Sequence, residues 1–225
     1  QVKELRKVAA QYEGIKAQYE AEGKAMDNQA MLNYAEVCAI IFYKTKMGDD
    51  YWKAVNAFDL VARGQQTVAQ GAKQLYFGDK SSVGAIAHIR AANVLIGVSA
   101  FADNDRIAKL TAFNMAYLHS ASALAKLTGV PMQINGNNYA IFMAEVKKRP
   151  DLIKDKLVVQ AFSYMEISET WFVRELVEAE KAGQLGEVAN KLTELRASNN
   201  ISGLFAADIK DGKTTLNDVI RVSGN

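Results

Sequence analysis

The chain has 225 residues, 49% hydrophobic and 23% charged, which excludes a disordered polymer and allows a substantial core. A net charge of +2 is too small for the concentrated positive field of a nucleic-acid binder, so no nucleic-acid partner is expected. Only 2 prolines interrupt the chain, which favours long helices, and the lone cysteine, Cys38, permits no internal disulfide.

The first predicted helix runs from residue 2 to about 46, with a break near Gly23 or Asp27. Leu5, Val8, Tyr12, Ile15 and Tyr19 follow the alternating three-four spacing of a coiled-coil seam, and Met26 resumes it. Charged or amide residues fill most other positions of segment 1–30, so this helix has one narrow apolar edge that needs a partner, inside the chain or outside it. Segment 31–43 is far more apolar and belongs in the core, with Cys38 as an inert buried thiol. Gly48 is expected to stop this helix, and Asp49 or Asp50 to cap a second one that carries Trp52, Val55, Phe58, Leu60 and Val61 and reaches Tyr76.

Segment 83–101 is the most apolar and approaches the length of a membrane span. It contains His88, Arg90 and Asn93, and an arginine near a bilayer centre costs about 2.5–3.5 kcal/mol. Arg90, Asn93 and Gly97 share one helical edge, so a central bundle helix with one polar edge is the better reading. Membrane association is not favoured; insertion of this segment by a pore-forming protein is the alternative. The next helix, 106–128, is capped by Asp103-Asn104-Asp105 and closed by Gly129 and Pro131, and its Ala112, Ala116, Ser120, Ala121, Ala123 and Ala125 make a close-packing surface. The turn at 135–138 is the seam if the chain divides; a single domain over 1–225 is the expectation. A short helix to Arg149 follows, then a long one opened by Pro150 and ending near Lys181, with Val158, Phe162, Met165, Phe172 and Leu176 on one face. After a short helix at 187–196, Asp211-Gly212 predicts a small β-hairpin between 207–209 and 214–216. The fold class is all-α, a multi-helix bundle with a coiled-coil-like N-terminal helix.

No constellation carries chemistry. Gly212-Lys213-Thr214 ends like a phosphate loop, but Ala207 stands where its first glycine belongs. His88 and His119 fall on different helices with no acid three or four residues away, so no metal ligand set is expected and both read as satisfied imidazoles. Glu169 interrupts an apolar row three residues from Glu166, and Arg90 is the other charge in an apolar segment, so an Arg90–Glu169 pair is expected as a buried structural device. Ser120 beside His119 is an adjacency without a nucleophile elbow. No catalytic residue and no cofactor is assigned.

Gln11-Tyr12-Glu13 and Gln18-Tyr19-Glu20 repeat at heptad spacing, which resembles the N-terminal helix of pilus-tip proteins of type IV secretion systems. The likeness covers barely a tenth of the chain, and no membership is assigned. The expected function is a non-enzymatic assembly subunit whose partner is protein, as a homo- or hetero-oligomer. A helical module enclosing an apolar ligand, lined by Met115, Met132, Met143 and Met165, is the alternative. A first residue of Gln rather than Met suggests a processed chain or a fragment, with a lean towards an exported, envelope protein.

Overall fold

A computed structural model describes residues 1–62, 82–130, 132 and 137–197. The expected hairpin, the Gly212-Lys213-Thr214 turn and the continuation of the second helix to Tyr76 lie outside these residues. Within them the fold is all-α, without a strand.

Helix α1 (Val2–Ala21) and α2 (Asn28–Thr45) are separated at the expected place. Gly23 takes a left-handed φ of +68°, and Asp27 caps α2 by accepting from the Gln29 and Ala30 amides. The next boundary corrects the sequence reading. Lys46, not Gly48, adopts the left-handed conformation that ends α2, and Gly48 is the first residue of α3 (Gly48–Ala62). A Cβ at Gly48 would sit 3.2 Å from the Phe101 ring, so the glycine answers to close packing rather than to a turn.

Helix α4 (Ser82–Ile96) continues into a 3₁₀ turn at Gly97–Ala100. Helix α5 (Arg106–Thr128) starts at an Asp105 cap and stops at Gly129, φ +72°, as its sequence indicates. Asn137 caps α6 (Asn138–Lys148). Pro150 opens only a 3₁₀ turn, Pro150–Lys154; the long α7 (Lys156–Lys181) begins afterwards on an Asp155 cap, and α8 (Leu185–Ala197) follows Gly183.

Helix α5 is the axis. From Leu110 to Lys126 every residue is buried except Tyr117, and α4 and α7 pack along it. Its small residues permit that approach from several sides. Helix α3 packs between α2 and α4, and α1 lies on α2. The larger apolar core joins α2, α3, α4 and the first half of α5 around Phe42, Phe58 and Leu95. A second core joins the end of α5 to α6 and α7, with Phe142 stacked on Phe162 at 4.6 Å. Tyr117 and Tyr164 touch both.

The apolar stretch Val83–Ala100, with a mean hydropathy of 1.5, is long enough by composition to cross a membrane, and a little over half of it is buried in the bundle. Its polar edge has protein partners. Arg90 donates to Glu36 at 2.9 Å, Asn93 donates to the Tyr43 hydroxyl at 2.8 Å, and Gly97 admits the Phe42 ring, all on α2. The edge is therefore the side that meets α2.

Candidate functional site

The N-terminal seam is divided by the fold. Leu5 and Tyr12, together with Val2, pack partly buried against α2, Ala9 is fully covered beside them, and Met26 is buried beyond the helix end. Val8, Ile15 and Tyr19 stay 38%, 43% and 42% exposed, on the flank that turns away from the bundle. Residues 8, 15 and 19 lie on one side of an α-helix, so they share one open edge. Flanking charges pair along the surface, Lys7 with Glu4 and Lys16 with Glu20.

Polar clamps hold α1 to the bundle. Arg6 forks onto Asp50 with bonds of 2.9 and 2.8 Å, and Thr45 donates to the same carboxylate at 2.7 Å. Glu13 pairs with Lys53 and accepts from the Tyr34 hydroxyl at 2.9 Å. The Lys53 ammonium holds the Glu13 carboxyl below the usual range, while burial pushes the Tyr34 hydroxyl up. Burial also raises the Cys38 thiol, which lines a cavity of about 90 Å³ under α1 and is held away from thiolate chemistry.

The second arrangement is internal. His88 of α4 and His119 of α5, both fully buried, meet with their Nδ1 atoms 2.8 Å apart. Asp59 of α3, 6% exposed, places Oδ1 at 3.6 Å from Nε2 of His119. Two imidazoles thus bridge α4 and α5, with a carboxylate of α3 near enough to pair with His119 once that ring is protonated, which brings together residues that the sequence left on separate helices. The signal for Asp59 was an acid set between Phe58 and Leu60 in an apolar run. Among the described residues no group of three ligands converges. Ser120 turns back along α5 and donates to the Ala116 carbonyl at 2.8 Å, so it forms no nucleophile with His119.

The expected Arg90–Glu169 pair does not form. Arg90 is spent on Glu36, because its edge of α4 meets α2, and both partners are partly exposed. Glu169 instead lies near Glu166 and Tyr117; burial, and then the Glu166 charge, raise its carboxyl, and burial raises Glu166. Tyr117 accepts a 2.8 Å bond from Asn138. Met115, Met132 and Met165 fill the cores, with Met143 packed partly buried beside them. An open cleft of about 1160 Å³ between the α4–α5 turn and α8 is lined by mixed charge, including Asp103, Arg106, Lys109, Glu187 and Lys191. No family model, curated protein or solved structure matches the chain.

Proposed function

We propose that this protein is a non-enzymatic assembly subunit that packs through α1 against a second copy of itself. The observation that carries the reading is the divided seam: one flank of α1 is used inside the chain, and Val8, Ile15 and Tyr19 remain open. A strip with coiled-coil spacing is covered best by another helix with the same spacing, and α1 of a second copy is such a helix. The clamps at Arg6 and Glu13 fix α1 in place, so the strip is presented on a rigid element and little ordering entropy opposes docking.

Cross-linking tests it. With Ile15→Cys and a short bismaleimide, covalent dimer should form at micromolar protein, while the exposed Lys147→Cys control stays monomeric. Equal, low yields from both positions would remove α1 as the interface. Native Cys38 is buried and does not compete.

A further inference from the structure

We propose that the His88–His119 pair is an acid-sensitive clasp that holds α4 and α5 together near neutral pH and loosens when both imidazoles become charged. The inference is independent of the α1 reading.

The argument is one of proton capacity. An Nδ1–Nδ1 contact of 2.8 Å is a hydrogen bond only if one imidazole presents N–H and the other a lone pair. A first added proton is tolerated. His119 as imidazolium donates Nδ1–H to His88 and turns Nε2–H towards the Asp59 carboxylate, so its charge is balanced. A second proton must go to the accepting Nδ1. Both nitrogens are then donors facing each other, and two cations share a site from which water is excluded. In the unfolded chain each imidazole takes its own proton near pH 6.5.

Among the described residues, Asp59 supplies the negative charge, from α3. Arg90 is two residues from His88, hence on the opposite side of α4, and is held by Glu36 of α2. Tyr117 is two residues from His119, so the Glu166 and Glu169 carboxylates of α7 lie on the far side of α5. Lys126 is buried on the same face as His119, two turns along. Asp59, His88, His119 and Lys126 each make further interactions beyond these. The one lone pair that the Nδ1–Nδ1 bond requires sets the limit on protons.

The sign follows from linkage. Well below pH 6.5 the unfolded chain binds about one proton more than the once-protonated pair, so stability falls as pH falls, approaching about tenfold in the folding constant per pH unit. The test is urea unfolding of the full chain from pH 7.5 to 5.0, beside His88→Asn. This variant keeps His119 next to Asp59, where its single proton is accepted. Well below pH 6.5 the wild type should lose folding constant more steeply than the variant, by about tenfold per unit. Parallel profiles would overturn the proposal. Should the variant not fold, imidazole ¹⁵N spectra of the wild type decide it: a native protein with both rings doubly protonated at pH 5.5 would overturn it, and loss of native signals as the second proton binds would bear it out.

Discussion

Helices α1 and α5 are held by opposite means. Helix α5 is enclosed, with Leu110, Phe113, Leu118 and Leu124 covered and small residues between them. Helix α1 contributes one fully buried residue, Ala9, and relies on Arg6–Asp50 and Glu13–Lys53 at its margin. A buried aliphatic side chain stabilises by about 1.5–3 kcal/mol, whereas a half-exposed ion pair contributes about 0–1 kcal/mol. The difference teaches where this molecule can change. The α5 environment sets the fold, and α1 is an added element whose outer side is free for another use.

The comparison can be broken from the enclosed side first. Phe58→Ala empties a fully buried site in the α3–α4 core and should lower stability by about 3–5 kcal/mol, read from the urea midpoint. A loss below that of the α1 variants would mean the core is not where stability resides. Arg6→Ala should cost about 1–3 kcal/mol, because Asp50 stays buried with only Thr45 as side-chain donor. Amide exchange should then quicken in α1 while α5 keeps its protection; equal loss in both would show that α1 is integral to the core.

The smallest effect is expected at Glu169. Its raised carboxyl means that the folded state holds this proton to higher pH than the unfolded chain, so the stabilisation is present in acid and lost as pH rises above the usual 4.5. Glu169→Gln should raise the melting temperature at pH 7, by less than about 1 kcal/mol equivalent after solvent screening, and leave it unchanged at pH 4. Destabilisation at pH 7 would show a favourable partner for the ionised form.

Among the described residues, sequence periodicity was sufficient for the helices and most of their ends. Asp27, Asp105 and Asn137 are side-chain caps whose chemistry is local, and Gly129 is a stop for the same reason. Most misreadings arise where a neighbour from another helix decides. Gly48 is small because Phe101 is close, whereas the start of α7 is a local misreading, set by the Asp155 cap on the Leu157 amide rather than by Pro150. Periodicity likewise marked Arg90 as lying on a polar edge, but not that α2 would cover that edge with Glu36. The same limit hid the histidine pair: each imidazole sits in an apolar helix, and only the packing of α4 on α5 brings them together. In α1 the apolar spacing was legible, yet it does not say which half of a seam a neighbour will take. Tyr12 went inward and Ile15 stayed out because α2 approaches α1 from one side.

The most direct test of the α1 account is the mass of the full chain by light scattering over a hundredfold range of concentration, beside Val8→Glu/Ile15→Glu. The account predicts a wild-type mass that rises above the 24.7 kDa of one chain, and a double variant that stays at that value with the wild-type helical content. A wild type that remains at 24.7 kDa throughout, or a double variant that assembles equally well, would contradict it.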